Sequence, residues 1–495
     1  MQENSDTKTR LAIVDLGSNS IRLVIFEGLQ RNPRTIFNEK AVIGLGRGLV
    51  ATGRLNEATV GRAITVLRRY KAVAEGMGAQ VFQILATAAV RDAVNGQEFV
   101  DAMTRAIPGV SAQVLSGEDE ARLSAEGLIL GFTSADGILA DLGGGSLEVV
   151  RLDAGRIEQA ASLPLGTIRL NERAEDDVGR ARAIVESELA RLPWLRQAEG
   201  KDLFLVGGTF RALARMHMAQ TRYPLHIVHH YAIRREEARD LAGVVMSAPR
   251  RSLERMEAAP TKRLNDLPFA AVILRRLLRA TGAARVIFSA NGLREGWYGR
   301  LLPEVEKRRD PLLSAAEELS RLWLRNEEFP AALAAWLAPL GLASSPLDEL
   351  LLAAAVQLSD IGHRDHPDYR AEQSFLRVLR QSGVGLDHFS RAFLALTVAL
   401  RYEAELTSAF LAQTRALLDT AAVAKAKTLG AAMRLAFTLS GGVADLLAET
   451  SISRGPNELV LQLRPGRGVF AGEAVSRRLD ALAAELNLTG LITEA

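Results

Sequence analysis

The chain contains no cysteine, which excludes disulfides, thiolate metal sites and cysteine nucleophiles and fits a reducing compartment. Aromatic residues make up only 5%, too few for a ladder of stacked bases, so no nucleic-acid partner is expected. Long hydrophobic runs are missing as well. The richest stretch, Leu350 to Val356, is flanked by Glu349 and Gln357 and falls short of the roughly 20 apolar residues a membrane span needs. The polar segment Met1 to Arg10 lacks the apolar centre of a secretory signal, so the expected location is the cytoplasm, with no membrane partner. Histidine is scarce: His226, His229 and His230 form the one apparent cluster. It lacks zinc spacing, and polyanion contact or plain surface exposure is expected there.

What is present is an ordinary globular composition, 48% hydrophobic and 24% charged, in a chain of 495 residues. Domains usually run to about 100–200 residues, so three or four folding units are expected. The net charge is only +3, yet Lys201 to Arg300 carries 18 Lys or Arg against 8 Asp or Glu. That local excess favours an anionic partner, against the plainer reading of a solvated arginine-rich surface. A polyanion without bases suits both the charge and the few aromatics.

Leu11 to Asp15 is an apolar run ending in an acid, and Ile21 to Phe26 is a second run after a Gly/Ser/Asn turn. The pattern predicts strand, tight turn, strand. It returns at Ile138 to Asp141 and Leu147 to Val150, around Gly143-Gly144-Gly145-Ser146. Aligned without gaps, the segments starting at Asp15 and Asp141 agree at Asp, Leu, Gly, Ser and Val, which marks an internal repeat and two related lobes with a cleft between them. Helical periodicity follows each hairpin, at Glu57 to Met77 and Ile184 to Leu195, and strands recur at Val81 to Leu85, Phe204 to Val206 and Val286 to Phe288. The alternation predicts an α/β class. Expected boundaries are 1–131 and 132–302 for the lobes, 303–441 for an all-helical region rich in Ala, Leu and Arg, and 442–495 for a small segment with a strand at Leu459 to Leu463 and a helix from about Glu473 to Leu486.

The first turn, Gly17-Ser18-Asn19-Ser20, is followed by Arg22. Small residues let backbone amides converge on an anion, and an arginine beyond the turn supplies charge-assisted bonds. A simple hairpin turn would favour the same residues, but two copies, each preceded by Asp, favour phosphate. In the second copy Asp141 and Glu148 flank Gly143, Gly144, Gly145 and Ser146. Carboxylates beside a phosphate loop are costly without a cation between them, so a hard metal, Mg²⁺ or alternatively Mn²⁺, is expected at Asp141 and Glu148. Gly207-Gly208-Thr209, followed by Arg211, is a third strand end at which a helix starting at Thr209 aims free amides at an anion. Ser116 reads as a helix N-cap with Asp119 as its capping-box partner. One of Glu118, Asp119 and Glu120 is the candidate general base, and spacing alone does not choose among them.

Six ordered segments resemble the motif set of the exopolyphosphatase and guanosine pentaphosphate phosphohydrolase family: Asp15 through Leu23, Ala86 through Gly96, Ser116-Gly117 through Arg122, Asp141 through Glu148, Gly207-Gly208-Thr209, and Ser289 through Gly296. The resemblance implies two actin-like (ribonuclease H-like) lobes with an interlobe cleft, then an all-α HD-like domain and a small C-terminal α+β segment. It implies that Glu120 activates water, that Arg91 faces the phosphoryl group, that Asp141 and Glu148 hold magnesium, and that the phosphate loops are Gly17 to Asn19, Gly143 to Ser146 and Gly207 to Thr209. The HD-like resemblance rests on Ala353 through Gly362, where Ser359 stands in place of the histidine and no histidine lies between Pro303 and Ser359. No second metal centre is expected there. The expected activity is exopolyphosphatase, releasing orthophosphate from inorganic polyphosphate. The alternatives are guanosine pentaphosphate hydrolysis, an actin-like kinase, or a non-catalytic sensor of polyphosphate or alarmone. A homodimer is implied by the resemblance and by the extra helical region.

Overall fold

The first apolar run forms β1 (Arg10–Leu16), which turns through Gly17 into β2 (Ser20–Glu27) and on to β3 (Arg34–Val42). Leu11 and Ile13 pack on one face of β1 and Ala12, Val14 and Leu16 on the other. Helices cover both faces, so the strand is apolar throughout rather than alternating. With β4 (Val81–Ala86) and β5 (Ala112–Val114) it makes a sheet of order β3-β2-β1-β4-β5. The chain, a computed structural model, is described over residues 9–494 and divides into two compact units, Met1–Arg309 and Asp310–Ala495. Most of the polar segment read as lacking a secretory signal lies outside the described residues.

The second sheet repeats the first. It contains β6 (Gly137–Leu142), β7 (Leu147–Asp153), β8 (Arg156–Leu163), β9 (Asp202–Val206), β10 (Tyr231–Arg234) and β11 (Arg285–Phe288), in the order β10-β11-β9-β6-β7-β8. Read from β8, the strands β8-β7-β6-β9-β11 reproduce the first sheet's order, with two antiparallel pairs followed by two parallel ones. β10 is an added antiparallel edge. The repeat legible at Asp15 and Asp141 is thus a repeat of topology.

One helix serves both sheets. Gly117–Ile129 sends Leu123 into the core against β1, and Ala121, Ala125 and Leu128 into the core against β6, β7 and β9. Ser116 caps it by accepting from the Asp119 N–H at 3.1 Å. Asp119 does not complete a capping box. Its carboxylate accepts from the Ser116 hydroxyl at 2.6 Å, which draws it away from the Ser116 backbone.

The helix expected over Ile184 to Leu195 occupies Val178–Leu189 instead, and a short 3₁₀ turn spans Pro193–Ala198. Pro193 is the cause, because a proline disfavours helical geometry in the residue before it. The first unit runs to Arg309 because Arg31 ties that end down: its N–H donates to Glu306 at 3.1 Å and its Nε to the Arg309 carbonyl at 3.0 Å.

The second unit begins with helices, among them Pro311–Arg321, Pro346–Leu358, Arg370–Arg380, His388–Arg401 and Thr420–Ser440. It ends in a sheet of order β12-β13-β14, from β12 (Thr450–Arg454), β13 (Glu458–Leu463) and β14 (Thr489–Glu494). β12 and β13 form a hairpin, and the helix Glu473–Glu485 carries the chain over to β14, parallel to β13. The tail therefore holds two more strands than its sequence pattern suggests. Among the described residues no helix is long and apolar enough to cross a membrane.

Candidate active site

Sheet register decides which side chains meet. In the first sheet Asp15 lies opposite Arg22, and Arg22 opposite Lys40, giving one cross-strand row of Asp, Arg and Lys. The equivalent row of the second sheet is Asp141, Glu148 and Ser162. The repeat has kept the first acid and diverged at the next two positions, so the first sheet's row is mainly cationic and the second sheet's row is acidic.

The two turns close the floor. Gly145 packs so tightly that a Cβ there would lie 2.5 Å from Ser18 Oγ and 3.0 Å from the Ala88 Cβ, so a larger residue would force the Ser18 loop to shift. The third loop needs glycine for a second reason: Gly207 has φ +106° and sits against the Leu142 backbone, a conformation closed to other residues. Behind it the helix Gly208–Gln220 begins. The cleft is lined by all three loops, Gly17 to Asn19, Gly143 to Ser146 and Gly207 to Thr209, together with Arg22, Glu120, Asp141 and Glu148.

Arg91 takes a different place. It is not among the cleft-lining residues; its Nη1 donates to Glu120 Oε2 at 2.8 Å and to the Leu115 carbonyl at 3.2 Å, while its Nε donates to Asp92 at 3.1 Å. It therefore braces Glu120 rather than facing the cleft, because Glu120 and Asp92 compete for its guanidinium. Asp92 also accepts from Arg169 at 2.6 Å, which links the first lobe to the second.

The carboxylates are held away from water. Glu120 is 8% and Glu148 2% exposed. Burial pushes Glu120 up to about 7, against the pull of Arg91. Burial raises Asp15 and Asp141 too, and raises Glu148 well above the ordinary carboxylate range, with Glu120 and Asp141 adding to the effect. Ser124 donates to Asp141, and Ser162 donates to Glu148 at 2.8 Å; these bonds fix one oxygen of each.

Among the described residues no group of three or more His, Cys, Asp or Glu side chains could hold a metal alone. A cation that demands an all-protein cage does not fit. A hard cation taken by one or two carboxylates, with water and phosphate oxygens completing its shell, does fit Asp141 and Glu148.

Cationic side chains extend beyond the first sheet's row and beyond the motifs. Lys40, Arg211, Arg263 and Arg294 also line the cleft. Arg263 donates to Thr209 Oγ1 at 3.1 Å, Arg211 to the Ala290 carbonyl at 2.9 Å, and Arg294 lies 3.7 Å from Asp15. Burial, reinforced by Arg294, lowers Arg22 and Arg211 to about 10. Lys40 is lowered to about 8, first by the cleft walls and then by Arg263, Arg22 and Arg211, although its outer side remains accessible.

Ser18 Oγ, Asn19 Oδ1 and Arg294 Nε are buried without a hydrogen-bond partner. Such groups are costly unless a ligand satisfies them. Arg294 sits in the quoted motif beginning at Ser289 and Arg211 just beyond the Gly-Gly-Thr loop. Lys40 and Arg263 follow no local pattern, and only the position of Lys40 opposite Arg22 could have signalled it.

The histidine cluster lies elsewhere and is structural in part. His229 is buried and its Nδ1 accepts from the Ala290 N–H at 3.2 Å. His230 packs on Phe132 with ring centroids 3.9 Å apart. Polyanion contact or plain exposure therefore fails for His229, because its ring anchors the loop after β11, while His226 is exposed.

Known proteins share this architecture. A crystal structure from Aquifex aeolicus, described as a Ppx/GppA family member, aligns with a TM-score of 0.51 at 25% identity, over 59% of this chain and 97% of the other. An exopolyphosphatase structure from Cytophaga hutchinsonii, at 23% identity, has the same fold with a TM-score of 0.54, over 58% and 96%. In sequence, exopolyphosphatase 2 of Mycobacterium tuberculosis is 33% identical over 241 residues, 45% of this chain and 75% of that protein. Retrograde regulation protein 2 of Saccharomyces cerevisiae is 25% identical over 443 residues, 81% and 74%. The family model described as "Exopolyphosphatase, C-terminal" matches residues 312–493, and that of the Ppx/GppA phosphatase family matches residues 24–305. The two actin-like sheets and more than half of the sequence therefore agree: the chain belongs to the Ppx/GppA phosphatase family and is an enzyme that hydrolyses phosphoanhydride bonds.

Proposed function

We propose that the chain is a metal-dependent exopolyphosphatase that removes the terminal phosphate of inorganic polyphosphate as orthophosphate. The observation that carries this reading is the cationic lining: Arg22, Lys40, Arg211, Arg263 and Arg294 line one cleft with Glu120, and no aromatic side chain lines it among the described residues. Several cations in series suit a polymer of charges, whereas a guanine base has no stacking surface there.

The terminal phosphoryl group rests on the Gly17 to Asn19 and Gly143 to Ser146 loops, with Gly207 to Thr209 holding the phosphates behind it. Glu120 accepts a proton from a water aligned with the scissile bond, and the water oxygen bonds to phosphorus. The bond to the bridging oxygen breaks, and the shortened chain departs with that oxygen. Arg91 is a positioning residue that keeps Glu120 ionised and aimed. Mg²⁺, or Mn²⁺, at Asp141 and Glu148 offsets charge on the phosphoryl oxygens when bound. A homodimer belongs to the same proposal, and light scattering in solution checks it.

The deciding experiment compares orthophosphate release from long-chain polyphosphate and from guanosine pentaphosphate at equal concentrations of terminal phosphate. Faster release from the polymer is expected. Preference for the nucleotide replaces this reading with guanosine pentaphosphate hydrolysis.

A further inference from the structure

A chain of alternating charges crosses between the two lobes, and the mechanism above uses it only as far as Arg91. Asp92 closes the short helix Ala88–Asp92 and divides its two oxygens. Oδ1 accepts from Arg91 Nε at 3.1 Å, and Oδ2 accepts from Arg169 Nη2 at 2.6 Å. Arg91 in turn donates through Nη1 to Glu120 at 2.8 Å. The order is Arg169, Asp92, Arg91, Glu120: cation and anion alternate, and the formal charges cancel. Neither Arg169 nor Asp92 is among the cleft-lining residues, which sets both apart from the substrate path.

Arg169 is fixed by the second phosphate loop. It lies on the helix Thr167–Ala174, whose first N–H groups donate to that loop, Thr167 to the Gly143 carbonyl at 3.1 Å, Ile168 to the Gly144 carbonyl at 3.0 Å, and Arg169 itself to the Gly144 carbonyl at 3.2 Å. A Cβ on Gly166 would overlap the Gly144 and Gly145 backbone, so the loop and the start of the helix move as one body. The Arg169 and Asp92 side chains are 17% and 30% exposed, enclosed enough that solvent screens their attraction less than at an open surface.

The division of Asp92 decides where Arg91 points. A carboxylate facing a guanidinium group favours two parallel bonds. With Oδ2 held by Arg169, Asp92 offers Arg91 a single oxygen, and Nη1 is left for Glu120. Without Arg169, both oxygens of Asp92 are free to draw the Arg91 guanidinium away from Glu120.

We propose that Arg169 is a positioning residue for the water-activating acid: by occupying one oxygen of Asp92 it keeps Arg91 on Glu120 and ties the aim of Glu120 to the phosphate loop of the opposite lobe. This rests on the reading of Glu120 as the general base.

Steady-state hydrolysis of long-chain polyphosphate with Mg²⁺ tests it, in the natural chain and in a Glu120→Gln background. Arg169→Met is expected to lower kcat roughly tenfold, the weight of one charge-assisted bond, and to leave KM within about twofold. In the Glu120→Gln background the same substitution should cost nothing further, because its effect passes through Glu120. Asp92→Asn keeps one acceptor and loses the charge that captures Arg91, so adding it to Arg169→Met should restore most of the rate. Glu172 is the control: it lies on the same helix and accepts from the Gly48 N–H of the first lobe at 2.8 Å, joining the lobes without touching Arg91, and Glu172→Ala should leave kcat within about twofold. Arg169→Gln reads the same cycle should the methionine variant not fold. An equal loss in both backgrounds, no recovery with Asp92→Asn, an equal loss in Glu172→Ala, or a rise in KM alone overturns the proposal while Glu120 keeps its role. A Glu120→Gln variant that turns over at the natural rate removes the general base itself, and the positioning role with it.

Discussion

At the scale of single residues, the cleft is an arrangement of costly groups that make sense together. Glu120 is buried and raised to about 7, a value suited to a base working near neutral pH. Arg91 opposes that rise, so Arg91→Met is expected to move the acidic limb of the pH–rate profile upward and to lower kcat by roughly 10²-fold or more, the usual weight of a positioned base. A lower rate with an unmoved limb would assign Arg91 to packing alone. Lys40 gives a second signature. Its ammonium is lowered to about 8, so it is charged below that pH and neutral above it, and affinity for polyphosphate is expected to fall as pH rises through about 8. KM measured from pH 7 to 9 checks this, and Lys40→Met should flatten the dependence.

At the scale of elements, much was legible because period and spacing carried it. Asp15 and Asp141 end strands before small-residue turns, and the strand order confirms the repeat. The choice among Glu118, Asp119 and Glu120 was not legible from spacing, since it depends on which helix face meets the cleft. Glu120 is buried there, while Glu118 and Asp119 pair at the surface with Arg122 and Ser116. Lys40 and Arg263 reach the cleft only through tertiary placement. β14 was hidden because a short segment containing Gly490 becomes a strand only when β13 pairs with it. The contact between the two turns makes its own prediction. Gly145→Val should abolish phosphate release while leaving the circular dichroism spectrum unchanged, because overpacking of about 1–3 kcal/mol falls on the floor of the cleft rather than on a core.

At the scale of the whole molecule, the first unit concentrates acids that resist ionisation, and this sets how stability responds to pH and metal. In the metal-free protein, Asp15, Glu120, Asp141 and Glu148 all have folded pKa values raised above their unfolded ones. The folded state therefore takes up protons first, as pH falls through about 7 for Glu120, and these groups destabilise it less at lower pH. Melting followed in chelator is expected to show this contribution improving from pH 8 toward pH 5. Added Mg²⁺ should raise Tm more at pH 8 than at pH 5, because metal binding requires deprotonated ligands. Equal gains at both values would remove the metal from Asp141 and Glu148.

In the proposed mechanism, water activated by Glu120 attacks the terminal phosphorus in the cleft between the two sheets. Long-chain polyphosphate incubated with Mg²⁺ in heavy-oxygen water, without nucleotide, tests this for the natural chain and for Glu120→Gln. Orthophosphate carrying one solvent oxygen per release event is expected from the natural chain. Glu120→Gln should release it at least roughly 10²-fold more slowly while still binding the polymer. Release that requires ADP, or that proceeds at the natural rate in Glu120→Gln, would contradict the account.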